Sequence, residues 1–164
     1  MTELVRSIRS QHASAPIIVV YEGAHVYASR GALNESYVRQ QPPDALGLSA
    51  GRNLIVQHAH TPFVMILDDD VRFHEGTHVE RLVEHLRREP RLVLAAACHY
   101  PRDCYAHRFV ADGQSLLQME LPPPSEGDAH AGGLQKAHIT HNAFVARTAA
   151  LRALHPTRAH IHRL

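Results

Sequence analysis

Three consecutive aspartates, Asp68, Asp69 and Asp70, follow a wholly apolar run at residues 63–67. Adjacent carboxylates repel one another, and a hard divalent cation relieves the repulsion by taking their oxygens as ligands. On an extended chain alternate side chains point the same way. Asp68 and Asp70 are therefore expected to share one site while Asp69 points elsewhere. On that reading Asp70→Ala abolishes binding of the divalent cation and Asp69→Ala spares most of it. The plainer reading is an acidic surface turn that opens the next helix. The cluster alone names no reaction, because phosphatases, nucleases and nucleotidyl transferases use such sites equally well.

Histidines are the other candidate ligands. His160 and His162 stand at strand spacing, and His138 and His141 at i, i+3, but with fifteen histidines in the chain chance pairs are expected. Cys98 reads as a small core residue, and Cys104 has no assigned role. Two cysteines do not make a disulfide framework. Tyr100 and Tyr105 fit a packed hairpin better than a binding groove, and Asp112 fits a turn.

The elements that must carry these residues follow from periodicity. Leu4, Val5 and Ile8 predict a helix to about residue 11. Residues 17–21 predict a strand buried on both faces, as parallel strands are. A short helix is expected over 33–40, stopped by Pro42 and Pro43. Ser49 is the expected N-cap of a helix to residue 58, and the strand 63–67 then delivers the aspartates. Thr77 and Glu80 form a capping box for a helix placing Val79, Leu82, Val83 and Leu86 on one face, and residues 92–98 predict a third strand. Residues 105–111 and 114–121 flank Asp112-Gly113, a type I′ hairpin signal. A loop covers 122–133, a strand 138–147, and a helix capped by Thr148 runs to 154. The class is α/β. Strands 17–21, 63–67 and 92–98 are expected as parallel neighbours in one sheet, with the aspartates at its carboxyl edge, where open α/β sheets bind ligands.

Composition sets the bounds. At 164 residues with 45% apolar and 20% charged content, the chain suits one globular domain and excludes a disordered tail. No apolar run approaches the ~20 residues of a membrane span. A net charge of +1 gives no field to steer nucleic acid or an acidic membrane. The fifteen histidines, titrating near pH 6.5, make the chain strongly cationic in mild acid.

The segment before the aspartates narrows the chemistry. Gly47-Leu48-Ser49-Ala50-Gly51-Arg52-Asn53, nine further residues, then residues 63–70 and Phe73 resemble the central block of family 2-type glycosyltransferases with the GT-A fold. Within that family the block is most similar to the ganglioside-type β-1,4-N-acetylgalactosaminyltransferases. Asn142-Ala143-Phe144-Val145-Ala146-Arg147-Thr148 resembles a downstream segment of the same family. The resemblance implies a Rossmann-like three-layer sandwich with a mostly parallel sheet, incomplete here, plus an antiparallel hairpin. Residues 1–100 would be the nucleotide-sugar-binding half and 101–164 the acceptor-side half of one partial domain.

The resemblance also implies roles. Asp68 and Asp70, with His162 as a further candidate, would hold Mn²⁺ or Mg²⁺. Glu22, Arg52, Asp68 and Asp69 would meet the donor, a nucleoside-diphosphate sugar and most simply a UDP-sugar. An N-acetylhexosamine is the favoured sugar and a hydroxyl of a glycan, lipid or protein the acceptor, with inversion. Glu22 stands where the family often has an aspartate. Only three residues precede the first helix, and no Asp or Glu follows Asp128. The catalytic base is therefore expected beyond Leu164, and the chain is expected to transfer sugar poorly without segments at both ends. Should it prove active, Glu120, Glu126 and Asp128 become the candidate bases. A non-catalytic remnant of the fold and a metal-dependent nucleotidyltransferase are the alternative readings. Location is unknown from the sequence: the cytoplasm for a bacterial source, the Golgi lumen for a eukaryotic parent.

Overall fold

The computed structural model describes residues 2–22, 34–40, 47–97, 106–111, 115–121, 137, 139–140 and 142–154. In chain order the elements are α1 (Thr2–Gln11), β1 (Ile17–Tyr21), β2 (Glu35–Arg39), α2 (Leu48–His58), β3 (Phe63–Ile66), α3 (Val79–Arg88), β4 (Leu94–Ala96), β5 (Ala106–Ala111), β6 (Leu116–Glu120), β7 (Ile139–Thr140), β8 (Phe144–Arg147) and α4 (Thr148–Ala153). They divide into two compact units, Met1–Thr77 with Ala146–Leu164, and His78–Val145. The expected α/β class holds.

In the first unit α1 buries Leu4 and half-buries Val5 and Ile8 along one face. Arg9 closes this helix: its Nη1 donates to the carbonyls of His12, Ala13 and Ala15, and its Nε pairs with Glu35 on β2 at 3.3 Å. A cation there satisfies carbonyls that lack intrahelical partners. β1 pairs in parallel with β2, from Ile17 opposite Glu35 to Tyr21 opposite Arg39. Helix α2 packs on β1 and β3 and contributes Val56 to a core shared with Val19, Val64 and Ile66. Its last carbonyls, of Val56, Gln57 and Ala59, accept hydrogen bonds from Arg152 of α4. The Thr148 amide donates to the Pro62 carbonyl, setting the end of β8 beside the start of β3.

In the second unit α3 packs on β4. Leu86 is fully buried, and Val79, Leu82 and Val83 are half-buried, on the face that the spacing predicts. The Ala97 amide donates to Ala143, placing the end of β4 by the start of β8. β5 is the centre of an antiparallel sheet of order β6-β5-β7.

Several expectations are corrected. The three apolar strands are not neighbours in one parallel sheet: β1 pairs with β2 in a sheet that includes neither β3 nor β4. Residues 35–39 form a strand, not a helix. Asn34 adopts the left-handed conformation (φ 65°), which breaks a helix at that point, and Tyr37 and Val38 favour an extended chain. The helix after Gly47 begins at Leu48, so Ser49 lies inside its first turn and makes no side-chain cap. Thr77 does not cap α3, whose N-cap is His78; its hydroxyl instead accepts from the His74 amide. The third strand shortens to β4, and residues 138–147 divide into β7 and β8. The hairpin forms, with Ala111 opposite Leu116, and Asp112-Gly113 between its strands lies outside the described residues. Cys98, Tyr100, Cys104, Tyr105, Asp112, Glu126, Asp128, His138, His141, His160 and His162 lie outside the described residues.

Candidate functional site

The glycine-opened helix explains most of the geometry. Gly47 is the N-cap of α2 with φ 92°, ψ 169°, a backbone that L side chains rarely adopt. Its amide donates to Oε1 of Glu22, at the end of β1, over 2.5 Å. A carboxylate at this position also meets the positive end of the helix dipole. The Gly47 carbonyl accepts from Nε2 of Gln40 at 3.2 Å, and the Gln40 amide donates to the Tyr21 carbonyl at 2.9 Å. Gln40 is buried (5% exposed), so one residue, through its backbone and its side chain, ties the ends of β1 and β2 to the start of α2.

Gly51 lies one turn further on. A Cβ there would sit 3.0 Å from the Gln40 amide nitrogen and 3.6 Å from a Val20 methyl carbon. The absence of a side chain lets α2 lie close against β1. Arg52 follows and donates from Nη2 to Oδ1 of Asp68 at 3.1 Å, with both side chains partly exposed. The Nε of Arg52 is buried and has no hydrogen-bond partner among the described residues.

Asp68 lies two residues past β3 and is half-buried, whereas Asp69 and Asp70 are exposed. The Val71 amide approaches the Asp68 carbonyl at 3.4 Å, folding residues 68–71 into a turn with Asp69 and Asp70 at its centre. The alternation argued for an extended chain therefore does not apply here, because the strand has already ended. Helix α1 holds the segment after the turn. Glu3 pairs with Arg72, Ser7 Oγ accepts from the Phe73 amide at 3.0 Å, and Gln11 Nε2 donates to the His74 carbonyl at 2.7 Å. The Phe73 ring meets His12 edge-on, with centroids 5.9 Å apart.

Glu22, Arg52 and Asp68–Asp70 thus all belong to the first unit, and Arg52 is joined directly to Asp68. His162 lies outside the described residues. Glu120 is exposed on β6 in the other unit. Among the described residues no three His, Cys, Asp or Glu side chains converge on a metal position. The sequence reading missed Gln40 and the Glu3, Ser7 and Gln11 series. The signal for the series was present in the i, i+4, i+8 spacing on α1, but its partners are more than sixty residues away.

Comparison with known proteins places the molecule among the glycosyltransferases. More particularly, the chain belongs to glycosyl transferase family 2, whose model matches residues 3–154. It is 33% identical over 125 residues to human beta-1,4 N-acetylgalactosaminyltransferase 1, a stretch that covers 76% of this chain and 22% of that protein. The chain thus spans about a fifth of the length of the curated relative it matches. The family expected from residues 47–73 is the family found. No helix among the described residues is long and apolar enough to cross a membrane.

Proposed function

We propose that this domain binds a nucleoside-diphosphate sugar beside Asp68–Asp70 and serves its transfer, with inversion, to a hydroxyl acceptor. The observation that carries the reading is the Arg52–Asp68 contact, with Glu22 fixed nearby on the α2 N-terminus. It supports the reading by joining a guanidinium to the first of the three carboxylates within one unit. The human relative's name supports an N-acetylhexosamine as the sugar, with uridine diphosphate as the simplest carrier.

Hard carboxylate oxygens suit Mn²⁺ or Mg²⁺, which commonly take one or two carboxylates and complete their shell with water and substrate phosphate. Asp68 and Asp70 would hold the ion. When bound it supplies positive charge to the diphosphate as the glycosidic bond breaks. The chain's own residues do the remainder. Arg52 orients the diphosphate, Asp69 and Glu22 accept hydroxyl hydrogen bonds, and the α2 N-terminus favours negative charge. Inverting transfer also requires a base for the acceptor proton, a role not assigned to any described carboxylate.

Calorimetry with uridine diphosphate, with and without manganese, tests the reading. Saturable binding that requires manganese and is lost in Asp68→Asn is expected. Nucleotide binding indifferent to manganese and to Asp68 would reject it. Asp70→Ala should remove manganese binding and Asp69→Ala should weaken nucleotide more than metal; the reverse order would exchange their roles.

A further inference from the structure

Asp68 has two claimants. In the structure its Oδ1 accepts from Arg52 Nη2 at 3.1 Å, and the proposed function gives the same carboxylate to a divalent cation. We infer that Arg52 is a resident counter-ion: it neutralises Asp68 before the metal arrives, yields the carboxylate when metal and donor bind, and turns to the donor's phosphates. The inference rests on the proposed function and adds a competition to it.

Three observations support the exchange. The first is stoichiometric. Three successive carboxylates, Asp68–Asp70, stand at one turn, and Arg52 is a cation paired with the half-buried one. Like charges this close need a compensating cation in the free protein as much as in the loaded one. The second is the contact itself. One Nη2–Oδ1 bond between partly exposed side chains is a single-point pair, without the fork-to-fork geometry that would make it strong. The third is the unpartnered Nε of Arg52, buried among the described residues. A buried N–H left without an acceptor costs free energy, so the guanidinium has donor capacity that the pair with Asp68 does not use. A phosphate offers several acceptor oxygens, two of which can take paired N–H donors from the planar guanidinium. Arg52 is thus better satisfied by a diphosphate than by Asp68 alone.

The exchange predicts effects of opposite sign from one substitution. Removing a positive charge beside Asp68 should strengthen metal binding in the absence of nucleotide, while weakening nucleotide binding in the presence of metal. The experiment measures free manganese by electron paramagnetic resonance for the wild-type chain, Arg52→Gln and Arg52→Lys, with thermal unfolding as the check on folding. Without nucleotide, Arg52→Gln should bind manganese about three- to tenfold more tightly than wild type. Arg52→Lys, which keeps the competing charge, should stay within about twofold of wild type. With manganese saturating, uridine diphosphate should bind Arg52→Gln at least about tenfold more weakly.

Manganese binding by Arg52→Gln but not by wild type would support the exchange most strongly. Equal or weaker manganese binding by a folded Arg52→Gln, with normal binding by wild type, would overturn the exchange and leave the proposed function standing. No manganese binding by any of the three, with or without nucleotide, would remove the proposed function and the exchange together. Should Arg52→Gln unfold, Arg52→Met is the second variant, with the same expected signs.

Discussion

Two residues in the first unit carry costs that can be read directly. Gly47 has φ 92° with open space around a would-be Cβ, so the penalty of Gly47→Ala is backbone strain and not a clash. A loss of about 1–2 kcal/mol in unfolding free energy is expected, measured by urea titration. Nucleotide binding should also weaken, because the amide that holds Glu22 would turn away. Tyr37 is the other. Its phenol donates to Glu35 Oε2 at 3.0 Å. Desolvation, then the hydrogen bond and the negative charge of Glu35, raise its pKa above the ordinary tyrosine value. Folding therefore favours the neutral phenol. That contribution is complete below the unfolded-state pKa near 10 and is lost as pH rises through the higher folded-state value. Tyr37→Phe should cost about 1 kcal/mol at pH 7 through the lost hydrogen bond, and should flatten the decline in stability above pH 10. A variant with the same alkaline decline as wild type would move its cause to another group.

Among the elements, α1 has the least evident role, since it lies far in sequence from the aspartates. Its polar positions Glu3, Ser7 and Gln11 recur at i, i+4 and i+8, one stripe of a helix. They bond to Arg72, Phe73 and His74, three successive residues after the aspartate turn. The ion pair is exposed and screened, so the Ser7 bond to the Phe73 amide is the firmest link. Ser7→Ala should lower stability by about 1 kcal/mol and speed hydrogen exchange at the Phe73 amide more than tenfold. Ser7→Thr, which keeps the hydroxyl, should exchange nearly as slowly as wild type. Uniformly unchanged exchange would show that α1 does not anchor this segment.

At the scale of the whole molecule, charge is the property every part shares. Sixteen acidic residues nearly balance seventeen lysines and arginines at neutral pH, and fifteen histidines then add positive charge as the pH falls. Self-repulsion in a compact chain grows with net charge. The thermal midpoint should drop between pH 7 and pH 5 and recover in part when salt shortens the screening length to a few ångströms. A midpoint insensitive to salt at pH 5 would assign the loss to particular buried groups.

The sequence alone determined the family and marked the glycines and aspartates of the candidate site. Its α1, α2, α3 and hairpin were also legible. Those features are local: an amphipathic stripe, an apolar run ended by aspartates, and glycines at fixed spacing each act over one or two turns of chain. The partners of the strands were decided only in three dimensions. Residues 17–21 and 63–66 are both apolar enough for one parallel sheet, yet residues 17–21 pair with residues 35–39 in a separate sheet, because hydrogen-bonding edges carry no mark in side-chain pattern. Residues 35–39 became a strand because β1 offered an edge and Asn34 a left-handed start. The site shows the same division. Glycines and aspartates announced themselves, but Gln40 and Ser7 did not, since each works through a backbone group supplied by a distant segment. The turn at Asp68 overrode strand alternation for a similar reason. Where a strand stops is set by the hydrogen bonds its neighbours provide, and neighbours are a property of the fold.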